Sequence, residues 1–293
     1  MEIPRLPSPQ AKNHAVLLLH GLSSSPAELR FLARFLAEEG FVTHTPELPG
    51  YSAGSGHSAM EHWISAAVAE WDALAATYRH VSVCGLSMGA TLAAAVALRR
   101  PAARALLLLS VTLLYDGWAI PWYRFLLDYA YYTPLRSRYR YREHEPYGLR
   151  NEALRLKIAS AMEKNGVSEV GPGHIAMPAL HEASRLARLV RRTLNGIRTD
   201  CLIVHAIDDE TSSPHNARLV AANVGASRLR TIWLDDSYHM ITSDNEREVV
   251  ARECALFLRE SAEASTSGNI PTPVVSRALA RRLRQLAMVA RSA

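Results

Sequence analysis

The stretch Gly85-Leu86-Ser87-Met88-Gly89 constrains this chain more than any other. A β-branched run, Val81-Ser82-Val83-Cys84, precedes it, and an alanine-rich segment of helical character, residues 90–99, follows. A serine held in so tight a turn between strand and helix needs a strained backbone, which pushes its Oγ out over the end of a sheet. The residues two before and two after it then lie so close to neighbouring backbone that a Cβ would clash, hence glycine at both. This context makes Ser87 a candidate nucleophile.

The rest of the chain alternates in the same manner. Residues 15–19 form a continuous apolar run, the pattern of a strand buried on both faces of a parallel sheet. Ser25-Pro26 predicts a helix start with Ser25 as N-cap, and Gly40 its stop. Further strands are expected at 41–45, 104–109, 201–204 and 229–234, with helices at 60–78, 178–194, 214–223 and 244–260. Such spacing argues for βαβ units: an α/β fold with a mostly parallel central sheet and helices on both faces.

The alternation stops between 112 and 175. This stretch is rich in tyrosine and tryptophan, from Tyr115 and Trp118 to Tyr147. It reads as an insertion, a lid, that divides one core into residues 1–111 and 176–260. Residues 261–293 are expected to form a linker and a basic amphipathic tail, because the composition shifts there to Ala, Ser, Thr and Gly and then to arginine.

A serine nucleophile requires a base, an acid to orient that base, and donors for the oxyanion. Loops at the carboxyl ends of parallel strands converge on one edge of the sheet. Two such loops follow Ser87 in the sequence. Strand 201–204 leads into His205-Ala206-Ile207-Asp208-Asp209-Glu210, and strand 229–234 into Asp235-Asp236-Ser237-Tyr238-His239. His239 alone among the histidines combines the last-strand position with a loop setting, whereas His205, at a strand end, reads as buried structure. Asp208, Asp209 and Glu210 are all candidates for the acid, and since neighbouring side chains point apart only one of them can face the histidine. The oxyanion donors are expected at the backbone N–H of Met88, after the nucleophile, and of Leu22, in the loop after the first strand.

The remaining properties narrow the setting. The three cysteines, Cys84, Cys201 and Cys254, lack metal-ligand spacing and read as buried, reduced thiols, which together with an N-terminus unlike a signal peptide points to a cytoplasmic protein. The formal charge of +5 lies almost wholly in the tail, where Arg277, Arg281, Arg282, Arg284 and Arg291 face Glu263 alone, so no nucleic-acid partner is expected for the main domain. On a helical wheel Val275, Leu279, Leu283, Leu286 and Ala290 oppose most of those arginines, a pattern that suits peripheral membrane contact or subunit packing.

These residues resemble the α/β-hydrolase superfamily, and within it the bacterial carboxylesterase and monoacylglycerol-lipase-like group. The matching pieces are Leu18-Leu19-His20-Gly21-Leu22 with Ser25-Pro26, Pro46-Glu47-Leu48-Pro49-Gly50, the Ser87 turn, Ala206-Ile207-Asp208-Asp209, Pro214 with Asn216-Ala217, and Ser237-Tyr238-His239-Met240-Ile241-Thr242 with Asp244. The resemblance spans residues 15–260. It implies an α/β-hydrolase fold, and an acid at the fourth position of a turn counted from Ala206, which is Asp209, with Asp208 the runner-up. It further implies hydrolysis of carboxylic esters by Ser87, His239 and Asp209 without metal or organic cofactor. Apolar acyl or monoacylglycerol-like esters are the expected small-molecule substrates, and thioesterase or acyltransferase chemistry with the same triad is the alternative. The aromatic insertion is longer than the minimal cap of small esterases in this group, and the tail has no counterpart in it.

Overall fold

The structure is a computed structural model that describes residues 13–267 apart from 143, 166, 169, 170 and 173. Its frame is a six-stranded sheet of β1 (His14–Leu19), β2 (Val42–His44), β3 (His80–Leu86), β4 (Ala105–Leu109), β9 (Asp200–Ala206) and β10 (Leu229–Leu234). Between β4 and β9 lie four short strands, β5 (Arg140–Arg142), β6 (Val167–Ser168), β7 (Gly171–Pro172) and β8 (His174–Ala176), paired β5 with β8 and β6 with β7 as two antiparallel hairpins. The order across the main sheet is β10-β9-β4-β3-β1-β2, and every pairing in it is parallel.

Successive side chains of a strand point to opposite faces, and here both faces are apolar. Leu17, Leu19, Val83, Leu106, Leu108 and Ile203 enter one core with α2 (Met60–Ala75), α3 (Met88–Arg99), α6 (Met177–Thr193) and α7 (Pro214–Asn223). Val16, Leu18, Leu86, Leu107, Leu109 and Val204 enter the other with α1 (Arg30–Glu38) and α8 (Arg247–Ser267). Truncating one of these fully buried leucines to alanine costs about 2–5 kcal/mol.

Ser25 caps as expected, its Oγ accepting from the Ala27 N–H, but the first turn, Pro26–Leu29, is 3-10 and only then passes into α1. The inserted segment holds α4 (Leu126–Ala130) and α5 (Glu152–Asn165) besides the hairpins. Its first residues are tied to the core. Asn216 Oδ1 accepts the N–H groups of Leu113 and Leu114 at 2.9 and 2.7 Å, while its Nδ2 donates to Asp116 at 2.8 Å. Gly117 and Ala119 pair with the backbone of Thr211 and Glu210.

One boundary differs from expectation. The linker placed from 261 begins later, since α8 continues to Ser267. Cys254, Phe257, Leu258 and Ser261 recur at helical spacing on its buried face, and the Ser261 carbonyl accepts from Arg104 Nε. The tail expected beyond it, like the extended lead-in expected at the N-terminus, lies outside the described residues.

The sheet order brings the site together. The chain moves outward from β1 to β2, then returns to place β3 on the other side of β1. The loops after β1 and β3 therefore diverge at a topological switch point, where open α/β sheets form their crevice.

Candidate active site

Ser87 sits between β3 and α3 with φ 58° and ψ −122°, a strained backbone for a residue with a Cβ. Both flanking glycines are enforced by contact. A Cβ on Gly85 would stand 2.1 Å from the Gly89 carbonyl oxygen, and one on Gly89 would stand 2.2 Å from that of Leu19.

Three loops meet above this turn. His239 Nε2 lies 2.8 Å from Ser87 Oγ, and its Nδ1 lies 2.8 and 3.0 Å from the two carboxylate oxygens of Asp209. Asp209 is fixed in turn by the N–H groups of Thr211 and Ser212, which donate to Oδ1 at 2.9 and 2.7 Å. Of the three acids adjacent in sequence, Asp209 is the one that reaches Nδ1. Asp208 turns outward to Arg150, 3.0 Å away, and Glu210 turns inward to accept the His239 backbone N–H at 3.0 Å. His205 is fully buried in β9, where its Nε2–H donates to the Ser212 carbonyl.

The electrostatics follow from this crowding. Burial opposes the charge on both partners, yet the attraction between them prevails: Asp209 is held below the usual carboxylate range. For His239 burial alone would lower the imidazole. Asp209, then Glu210 and Glu28, outweigh it and hold the group up at about 9. Glu210 itself is pushed up by burial, so that its proton is retained to higher pH than an ordinary carboxyl.

Leu22, in the loop after β1, lines the same cavity as Ser87 and His239, and Met88 opens α3. Around Leu22 the loop's other N–H groups are taken: Gly21 by Glu28 Oε2 at 2.8 Å, Ser23 by the Tyr51 carbonyl at 3.0 Å and Ser24 by the Gly21 carbonyl at 3.3 Å. His20 is pinned as well. Burial lowers it to about 4, so it is neutral; its Nδ1–H donates to the Gly21 carbonyl, and Nε2 accepts from Ser52.

Several supporting groups carried no spacing signal in the sequence. Ser110 Oγ donates to the His239 carbonyl at 2.7 Å, Thr112 Oγ1 lies 3.3 Å from Ser87 Oγ, and Glu28 and Glu210 are buried close to His239. The one available sign was positional: Ser110 and Thr112 follow the apolar β4 at the edge where the other strands deliver their site residues. A cavity of about 630 Å³ adjoins the triad and is lined by Ser87, His239 and Leu22 together with apolar side chains such as Leu113, Ile120, Phe125, Ile175 and Leu180. That is an ordinary size for a small-molecule site.

A parallel sheet with such a serine turn at its switch point defines the α/β-hydrolases, and this chain falls within their carboxylesterase and monoacylglycerol-lipase-like group. More narrowly, it belongs to the serine aminopeptidase (S33) hydrolase family, whose profile matches residues 10–246. It is 25% identical over 256 residues to a carboxylesterase of Bacillus subtilis (strain 168), covering 84% of this chain and 92% of the relative. It is 23% identical over 252 residues to a thermostable monoacylglycerol lipase of Bacillus sp. (strain H-257), covering 84% and 91% respectively. Among solved structures, the monoacylglycerol lipase of Paleococcus ferrophilus superposes with a TM-score of 0.70 at 17% identity, covering 84% of this chain and 94% of that one. A structure reported for two metagenome-derived lipolytic enzymes gives 0.70 at 22% identity, covering 86% and 98%. These superpositions bear on the fold. No helix among the described residues is long and apolar enough to cross a membrane.

Proposed function

We propose that this hydrolase cleaves carboxylic esters of apolar acyl groups, monoacylglycerol-like substrates included, through an acyl-enzyme on Ser87. The observation that carries the proposal is the unbroken relay from Ser87 Oγ to His239 Nε2 and from His239 Nδ1 to Asp209, each step 2.8 Å. In this reading His239 takes the Ser87 proton as Oγ attacks the ester carbonyl, whose π electrons move onto oxygen. The N–H groups of Met88 and Leu22 receive that oxyanion. The intermediate collapses with cleavage of the ester C–O bond, and His239 returns the proton to the departing alkoxide. A water molecule then repeats the sequence on the acyl-enzyme. Asp209 keeps Nδ1 protonated and stabilises the imidazolium that forms.

The mainly apolar cavity supports the acyl preference, and the inserted residues 112–175, which supply much of its lining, act as the lid in this reading. A reducing, cytoplasmic setting suits the buried and unpaired thiols of Cys84, Cys201 and Cys254. The test is Ser87→Ala assayed on p-nitrophenyl esters of graded chain length. Hydrolysis is lost while circular dichroism stays that of the parent, and a fluorophosphonate probe labels the parent but not the variant. A folded Ser87→Ala protein with full activity overturns the proposal.

A further inference from the structure

The carboxyl group of Glu28 is not needed by the relay, yet it is buried against it. Glu28 lies in the 3-10 turn after the β1 loop and is 4% exposed. Its Oε2 accepts the Gly21 N–H at 2.8 Å and packs so closely that a Cβ on Gly21 would stand 3.1 Å away. The Thr242 hydroxyl, three residues beyond His239, donates to the Glu28 carbonyl at 2.9 Å. One residue thus ties the loop that carries the Leu22 N–H to the loop that carries the histidine, and its carboxyl lines the same cavity as Ser87.

Resting on the esterase reading above, we propose that Glu28 is a positioning residue with two separable effects. Its bond to the Gly21 N–H holds the Leu22 N–H in line for the oxyanion, and its charge adds to the field that keeps His239 protonated. The first effect follows from the loop: with Gly21, Ser23 and Ser24 all anchored, the next N–H has one orientation available, and Glu28 supplies the side-chain anchor among the three. The second follows from proximity. Glu28 and His239 line the same cavity, and the Glu28 carbonyl is bonded to the His239 loop through Thr242; Asp209, Glu210 and His205 are the other titratable groups that bear on His239, while Tyr51 bears on Glu28. Burial holds the Glu28 carboxyl up at about 7, against the pull of its hydrogen bonds and of His239.

Two variants separate the effects. Glu28→Gln keeps an acceptor for the Gly21 N–H and removes the charge. Glu28→Asp keeps the charge and withdraws it from the N–H by one methylene. For Glu28→Gln the plateau kcat is expected to stay within about threefold of the parent, while the acid limb of kcat/KM moves to lower pH, because an imidazolium deprived of an anionic neighbour deprotonates more readily. For Glu28→Asp the limb is expected to stay in place, with KM little changed and kcat lower by about 10-fold or more, the cost of a misaligned donor. An unmoved limb in Glu28→Gln, a low plateau in Glu28→Gln, or a full kcat in Glu28→Asp each overturns the assignment. Ser87→Ala run alongside keeps the two questions apart. Activity in that variant removes the esterase reading itself, whereas an inactive Ser87→Ala with parent-like Glu28 variants removes this inference alone.

Discussion

Asp208 and Asp209 are adjacent in the chain and lie in opposite environments: Asp209 is 2% exposed and bonded to His239 Nδ1, while Asp208 reaches into solvent to meet Arg150. Both lie in the turn after β9, which points the two side chains apart, so one carboxylate serves the histidine and the other the surface. Asp209→Asn is accordingly expected to lower kcat by about 10⁴-fold, the effect of losing the acid that fixes a triad imidazole. Asp208→Asn removes a half-exposed ion pair worth under about 1 kcal/mol and is expected to leave ester hydrolysis unaltered. Steady-state assays of the two variants side by side decide this, and equal losses would reverse the assignment.

The pH dependence has a definite sign. A histidine that takes a proton from Ser87 must be neutral, and His239 is held up at about 9. The kcat/KM is therefore expected to rise with pH until about 9. Stability is expected to move the other way. The His239 imidazolium is stabilised by folding, a contribution present in full below its ordinary value of 6.5 and lost as pH rises through about 9. Glu28 adds to the trend, since its buried carboxyl opposes ionisation between 4.5 and about 7. Denaturant midpoints measured from pH 5 to 9 should fall while activity climbs; a midpoint that rises over that range contradicts the charge arrangement.

Gly89→Ala places a carbon atom where the Leu19 and His20 carbonyl oxygens stand at 2.2 and 2.3 Å. Either α3 or the β1 loop has to retreat. A displacement of about 1 Å at reacting groups costs on the order of 100-fold in rate, so a folded Gly89→Ala protein is expected to lose about that factor in kcat. Activity within a few-fold of the parent contradicts the close approach.

Asn216 is the test of how the inserted segment is attached. Replacing it by leucine strands the N–H groups of Leu113, buried, and Leu114, half-buried, and removes one donor from Asp116, which keeps those of Ser213. A loss of about 3 kcal/mol in unfolding free energy is expected. Because these contacts fix the entry to the segment that lines the cavity, KM for long-chain esters should rise more than KM for short ones.

Much of this arrangement was legible in the amino-acid order. The runs at 15–19 and 105–109 are apolar at every step, and that at 81–86 is apolar but for Ser82, because both faces of their sheet are covered, and that leaves a plain signature. Ser87 and His239 were expected because each follows a strand at its carboxyl end, whereas spacing left Asp208, Asp209 and Glu210 open and only the family resemblance singled out Asp209. The groups that hold them could not be placed. Glu28 looks like an ordinary helix-start acid, and nothing in its spacing announces that it would be buried beside a histidine; Glu210 stood among the candidates for the acid, but its bond to the His239 backbone N–H had no sign in the sequence. The insertion was recognisable only as a break in alternation. Its hairpins are two or three residues long, and α5 presents no strongly one-sided face from which a period can be read. The reach of α8 was hidden for a related reason: alanine and serine at 261–267 resemble a linker by composition, although Ser261 and Ala262 continue the helix's buried face.

The bare α-carbon of Gly89 has one more consequence. It lets the first turn of α3 rest directly on the backbone at the end of β1, so that two amide groups 66 positions apart in the chain, those of Leu22 and Met88, share a common footing. Their spacing there follows from backbone packed on backbone rather than from side chains. In the proposed esterase reading, substrate preference can therefore change with the surrounding walls while the seat for the carbonyl oxygen keeps its dimensions.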